Sequence, residues 1–237
     1  MRQHIDTIPV WDAFKTDCEC PLCELRQTNE ENYVVSFTGG SVMEPDVRVE
    51  VNTKGFCARH FKMMMVGDKR LGVALMAHTY LKQTMARLGE SRMAVQNVPA
   101  RGGLFSRKAP AAGVDLSPIT DSCILCDRLN ATMDRYVYTT VYLWKKDGSF
   151  RSTLASSKGF CLKHYGELLK AGPEQLNGQE LKQYTDMLND VEMKNLARLE
   201  GEIEWFTLKF DHKNADKPWG NSRDALPHTV LKLRGKD

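Results

Sequence analysis

Lys54-Gly55-Phe56-Cys57-Ala58-Arg59-His60 returns later in the chain as Lys158-Gly159-Phe160-Cys161-Leu162-Lys163-His164. A Cys-x-x-Cys precedes each copy: Cys20-Pro21-Leu22-Cys23 stands before the first and Cys123-Ile124-Leu125-Cys126 before the second. The interval from each Cys-x-x-Cys knuckle to its following Cys-x-x-His is nearly the same in both copies. The sequence therefore reads as an internal duplication of one C-x2-C…C-x2-H unit.

That spacing points to metal. Two cysteines separated by two residues converge from a tight turn, and a Cys-x-x-His converges from the first turn of a helix, where positions three apart share a face. Three thiolates and one imidazole suit tetrahedral Zn2+. The glycine ahead of each Phe-Cys marks a backbone position that needs positive φ or close approach. The expectation is two Zn2+ per chain, each held within its own copy: Cys20, Cys23, Cys57 and His60 form one quartet, and Cys123, Cys126, Cys161 and His164 the other.

All seven cysteines fall in these clusters, six in the pattern and Cys18 beside it. A disulfide framework suits a short secreted chain, and the odd cysteine count and the length argue against one here. A redox dithiol needs a single Cys-x-x-Cys beside a βαβ rhythm that is missing. An iron–sulfur cluster on three cysteines and a histidine is compatible with the spacing but ranks below zinc. Cys18 reads as a spare thiol; the sharper alternative is ligand exchange or redox sensing beside the first site.

The chain has 237 residues, 27% charged and 42% hydrophobic, with a net charge of +3. These values are ordinary for a globular protein with a sizeable core, and the charge alone does not imply nucleic acid. No apolar run is long enough to span a membrane. The start, Met1-Arg2-Gln3-His4-Ile5-Asp6, has no apolar core of a secretory signal, so a reducing cytosol is expected.

Periodicity predicts a mainly α-helical protein. Residues 1–19 form a short lead with Trp11 and Phe14 placed to bury an edge. A helix over 22–37 carries Leu22, Leu25, Asn29, Tyr33 and Phe37 on one stripe. Val47, Val49 and Val51 alternate as a strand would, in a segment read as a short helix or extended piece. A ligand helix over 57–65 brings Met63, Met64 and Met65 to fill core gaps. A long helix over 69–95 places Leu71, Ala74, Leu75, His78, Leu81, Met85 and Leu88 on one apolar face. His78 there is read as a hydrogen-bonded core histidine, with a catalytic role as the alternative.

Residues 97–120, with Pro99, Gly102, Gly103, Pro110, Gly113 and Pro118, read as a linker. The second copy predicts a helix over 124–146 on Leu125, Leu129, Met133, Tyr136, Thr140 and Trp144. A short helix over 150–156, a ligand helix over 161–171 and a long helix over 174–210 follow, the last bent at Asn177-Gly178, its stripe ending at Phe206 and Phe210. The tail, 211–237, reads as a strap anchored by Trp219 with a short helix over 227–233. The expected domains are a first metal-binding helical repeat over 1–96, the linker, a second repeat over 121–211 and the C-terminal tail.

The doubled Cys-Pro-Leu-Cys…Gly-Phe-Cys-x-x-His pattern, with Lys217-Pro218-Trp219-Gly220-Asn221-Ser222 downstream, resembles an uncharacterised family of bacterial, largely clostridial, proteins. The second knuckle departs from it, with Ile124 in place of the proline. The resemblance covers nearly the whole chain, implies a bacterial cytosolic setting and supports the eight ligands. It supplies no catalytic residue.

Four protein ligands per site predict closed, structural zinc. No nucleotide loop, H-E-x-x-H or G-x-S-x-G is present. The sequence thus reads as a zinc-binding structural, interaction or regulatory protein with an unidentified protein partner. One alternative is a thiol-redox or metal-dependent enzyme or sensor using Cys18 or His78. The other is nucleic-acid binding through Arg59, Lys62, Lys69, Arg70, Lys163 and Lys170.

Overall fold

The structure is a computed structural model that describes residues 3–96 and 115–236. Among the described residues every regular element is helical. The first part comprises α1 (Gln3–Lys15), α2 (Pro21–Thr38), α3 (Pro45–Lys54), α4 (Ala58–Met64) and α5 (Arg70–Gln96). The second comprises α6 (Ser117–Thr120), α7 (Ile124–Lys146), α8 (Gly148–Ser156), α9 (Leu162–Ala171), α10 (Gly178–Leu208) and α11 (Ala225–Arg234). Short 3-10 turns fill several joints. No described helix is long and apolar enough to cross a membrane.

The chain divides into two compact units, and the division does not fall at the 97–120 segment. One unit joins residues 1–29 to 130–237, and the other is residues 30–129. We call them the outer and inner units, after their order along the chain. Most of the expected linker lies outside the described residues; its end, 117–120, is helix α6.

The outer core gathers Val10, Phe14, Leu22 and Leu25 with Val137, Trp144, Phe150, Phe160, Tyr184 and Leu188. The N-terminal lead is a helix within this core. Trp11 and Phe14 meet Phe150 edge-on at 5.2 and 4.9 Å between ring centroids. All six apolar-stripe residues predicted for α7 are buried. Helix α8 starts where Asp147 accepts from the backbone N–H of Ser149 and Phe150, an N-cap that closes two orphan donors.

The inner core packs Phe37, Val42, Val47, Val51, Phe56, Met64, Val73 and Met76 with Ile124 and Leu125. Val47 and Val51 are buried while Val49 is exposed, because α3 is a helix and these positions repeat at i and i+4, not at period two. Proline at its first position and Gly55 at its end delimit it.

Three expected burials fail. Of the methionine run, Met64 is buried and Met65 is exposed, since α4 ends at Met64. Helix α5 packs through Val73 and Met76, so the predicted stripe faces outward: Leu71 is 74% and Met85 66% exposed, and His78 is exposed with them. The periodicity identified a real face but could not say whether a partner covers it. The long C-terminal helix begins at Gly178, after a 3-10 turn at Gly172–Glu174, and Phe210 is exposed. Lys209 takes the buried place and donates to the carbonyls of Asn214, Ala215 and Lys217 at 2.7, 2.8 and 2.5 Å. Beyond it Trp219 packs against Phe206 and Phe210, and α11 lies against α10.

Candidate metal centres

The eight predicted ligands gather into two Cys3His groups, but the quartets are exchanged. Cys20 and Cys23 meet Cys161 and His164, and Cys57 and His60 meet Cys123 and Cys126. The within-copy grouping is therefore corrected: each knuckle serves the ligand helix of the other copy. The cause is the first helix of each copy. Helix α2 starts at the Cys20–Cys23 knuckle and runs 18 residues, roughly 27 Å at 1.5 Å per residue. Its far end, at Phe37, is buried beside Phe56, which leads directly into Cys57. Helix α7 likewise leaves Cys123 and Cys126 in the inner unit and ends at Trp144 in the outer core. Equal spacings in sequence carried no information about which pair meets which.

All four ligand pairs sit at helix starts. Cys57 and Cys161 are the N-cap residues of α4 and α9, with His60 and His164 three positions on. Cys20 and Cys123 immediately precede α2 and α7, and their carbonyls accept from Glu24 and Asp127 at 3.3 and 3.1 Å. The N-cap and third-position side chains of a helix are the two that meet in a capping box. The x-x spacing is this geometry with sulfur and imidazole in place of hydroxyl and carboxylate. Each group receives two helix N-termini, whose partial positive charge favours thiolates.

The ligand atoms of each group lie within 4.8 Å of one another, a cage that could hold one metal ion. In the outer unit, His164 Nδ1 is 3.4, 3.5 and 3.3 Å from the sulfurs of Cys20, Cys23 and Cys161, and Cys23 Sγ is 3.6 Å from Cys161 Sγ. In the inner unit, His60 Nδ1 is 3.2, 3.2 and 3.5 Å from Cys57, Cys123 and Cys126, and Cys57 Sγ is 3.9 Å from Cys126 Sγ. A tetrahedral Zn2+ has edges of about 3.8 Å between sulfurs and about 3.6 Å between sulfur and nitrogen, from its ordinary bond lengths. The edges seen here fit that shape. A disulfide, at about 2.05 Å, is excluded, and all seven cysteines are free thiols.

Burial holds the Cys20 thiol well above its ordinary pKa, and the hydrogen bond to Cys161 pushes Cys23 up to about 12. Hydrogen bonds from Cys20 and Cys23 pull the Cys161 thiol down. Burial pushes Cys126 up to about 12. A coordinated divalent cation inverts this order by deprotonating its thiols outright.

The glycine turns deliver the N-cap cysteines. Gly55 and Gly159 have φ of 64° and 77°, as expected. A Cβ at Gly55 would lie 2.3 Å from the Tyr80 ring, and one at Gly159 would lie 2.6 Å from Glu192 Oε2. The Gly55 carbonyl also accepts the N–H of Ile124 at 3.1 Å, tying this turn to the other copy's knuckle. Gly159→Ala is expected to lower stability by about 1–3 kcal/mol from backbone strain alone, with the Glu192 clash added; urea unfolding of the metal-loaded protein measures it.

The two groups differ around their histidines. His60 Nε2–H donates to Glu30 Oε1 at 3.0 Å, and Arg59 grips the same carboxylate at 3.0 and 2.6 Å. Burial alone would raise the Glu30 carboxyl, but the Arg59 hydrogen bond and charge hold it below its ordinary pKa. This carboxylate fixes the ring so that Nδ1 faces the sulfurs, and it raises ligand basicity. Among the described residues His164 Nε2 is buried without a hydrogen-bond partner, and Glu167 Oε2 lies 3.9 Å from it. Glu30→Gln is expected to weaken inner-site zinc affinity about 10–100-fold and Glu167→Gln to leave the outer site nearly unchanged, both read by competition with a chelator. Glu30 was not among the sequence candidates; it lies on α2, far from its histidine in sequence, and only the exchanged packing brings it there.

The remaining candidates stay apart from this chemistry. Cys18 is half-buried, and burial pushes its thiol up to about 11, the opposite of an activated nucleophile. Arg59 is committed to Glu30, and Lys163 lies 3.9 Å from Glu167.

No curated protein and no solved structure matches the sequence. The profile of a family of unknown function, DUF6062, matches residues 1–237. Full-length agreement with that profile, over a helical chain that gathers its repeated cysteines and histidines into two cages, makes the protein a member of the DUF6062 family.

Proposed function

We propose that the protein is a non-enzymatic zinc protein in which Cys20, Cys23, Cys161 and His164 hold one Zn2+ and Cys57, His60, Cys123 and Cys126 the other. The observation that carries this reading is the near-tetrahedral spacing of four protein donors in each group, with no ligand position left for a substrate. A cage of this size supports one ion over a multi-iron cluster, whose ligands sit on separate irons. Free thiols throughout are in keeping with a reducing compartment such as the cytosol.

Binding of this kind contributes on the order of 10 kcal/mol per structural zinc, comparable to the whole net stability of a domain, roughly 5–15 kcal/mol. Zinc would thus hold each unit folded. An interaction role, with a protein partner, is favoured by the outward stripe of Leu71, Leu75, Leu81, Met85 and Leu88 along α5, since exposed apolar stripes mark protein contacts. A nucleic-acid role gains no comparable support, because Arg59 beside the inner site is already engaged by Glu30.

The test is elemental analysis of the purified native protein. Two zinc per chain, no visible absorbance, and the same content in Cys18→Ser are expected. Metal-free folded protein, or iron with a brown colour, would overturn the reading.

A further inference from the structure

The two cages are closed to different degrees. In the outer unit all four ligand residues are buried, none more than 2% exposed. Residues 235–236 lie over that enclosure. Gly235, with φ of 84°, ends α11 so close to the site that a Cβ on it would be 3.5 Å from Cys161 Sγ and 4.0 Å from Cys23 Sγ. Lys236 Nζ then grips both carboxylate oxygens of Glu24, on the first turn of α2, at 2.9 and 3.1 Å. One turn back, Lys232 is completely buried and donates to the carbonyl of Lys158, four residues ahead of the ligand helix.

The inner cage has a different wall. Cys123 and His60 are buried, but Cys57 and Cys126 are only half-buried, and their sulfurs form one edge of the cage, 3.9 Å long. The Glu30–Arg59 pair acts on the histidine, opposite this edge in the bonding sense, and so on affinity and ring orientation. It does not cover Cys57 or Cys126, which stay half-buried.

We propose that the inner site, at Cys57, His60, Cys123 and Cys126, is the exchangeable zinc site, and that residues 235–236 lock the outer one. The inference rests on the reading of both cages as zinc centres. Zinc leaves a thiolate cage by ligand substitution: an incoming donor bonds to the metal, a zinc–sulfur bond breaks, and the freed thiolate takes a proton from water. No electron moves. The step needs a donor at a zinc–sulfur edge, which the Cys57–Cys126 edge admits and the Gly235–Lys236 backbone blocks. Occupancy of the inner unit then follows available zinc, while the outer unit keeps its ion.

The experiment loads the full chain with zinc, counts the metal, and mixes it with excess chromophoric chelator. Two phases of one zinc each are expected, the fast one at least tenfold faster. Cys126→Ser removes the fast phase, and a chain ending at Arg234 releases its slow zinc at least tenfold faster. In the unaltered loaded protein, alkylation followed by peptide mass spectrometry labels Cys57 and Cys126 before Cys20, Cys23 and Cys161. This arm depends on no variant folding, and Cys18 is scored on its own peptide. Two zinc leaving in one phase, or outer cysteines labelled first, would overturn the inference while leaving the zinc reading intact. Fewer than two zinc at loading would overturn that reading and the inference with it.

Discussion

Cys161→Ser is expected to remove one of two zinc ions, and adding Cys20→Ser to it to remove no more. Adding Cys57→Ser instead is expected to remove the second. The outcome follows from the exchanged quartets: Cys161 shares a cage with Cys20 and Cys23, while Cys57 shares one with Cys123 and Cys126. Within-copy pairing places Cys20 and Cys161 in different cages, so their double variant would lose both ions. Elemental analysis of the Cys161→Ser, Cys20→Ser variant separates the alternatives by a whole ion per chain, while the Cys161→Ser, Cys57→Ser variant loses both ions under either pairing and marks the full loss. The energetic effect is the largest available from single atoms in this protein, because a structural zinc is worth on the order of 10 kcal/mol. The outer unit of Cys161→Ser should accordingly lose its cooperative unfolding transition, as measured by circular dichroism, while the inner unit retains one.

Lys232→Ala is expected to destabilise the outer unit by about 3–5 kcal/mol, the cost of removing one partner from a buried charge cluster. The ammonium is completely buried and is the donor to the Lys158 carbonyl. It faces Glu192, and Glu19 Oε2 lies 4.0 Å away. Glu192 in turn accepts the Phe160 N–H at 2.9 Å, one residue before Cys161. Burial lowers the Lys232 pKa and raises that of Glu192, and each charge opposes the other's shift. Without the ammonium the Phe160 N–H alone opposes burial and the neighbouring charges of Cys161 and Glu19, which raise the Glu192 pKa. Glu19 itself keeps Arg198 at 2.6 Å. Adding Glu192→Gln to a Lys232→Met variant removes the stranded charge and should recover part of the loss. Urea unfolding of single and double variants with zinc in excess reads both effects.

The helices were legible in the sequence because their stripes are long: six stripe positions of α7 and the ends of α2 were foreseen within a residue or so. The residues of the two Cys3His groups were legible for a different reason, since cysteine and histidine at a helix N-cap and third position leave a fixed spacing. Three things were not legible. Which knuckle meets which ligand helix depends on where α2 and α7 end in three dimensions, and spacing records only distance along the chain. Whether a stripe is covered depends on a partner surface, which is why Leu71 and Met85 face outward while Val73 and Met76 pack. The burial of Lys209 and Lys232 leaves no mark in the sequence, since only the carbonyls and carboxylates that the fold gathers around each ammonium make it tolerable.

The nested connectivity has a consequence for synthesis. The inner unit has all its residues once position 129 has left the ribosome, and its sulfurs and histidine contact one another across at most 69 positions. The outer cage joins Cys20 to His164 across 144 positions, and Gly235 packs against it. Cys20 and Cys23 thus precede all four residues of the inner cage and wait longest for their partners. A nascent chain would carry Cys20 and Cys23 as open thiols while the later-made knuckle meets its partners, so that translation itself sets the order in which the two cages assemble.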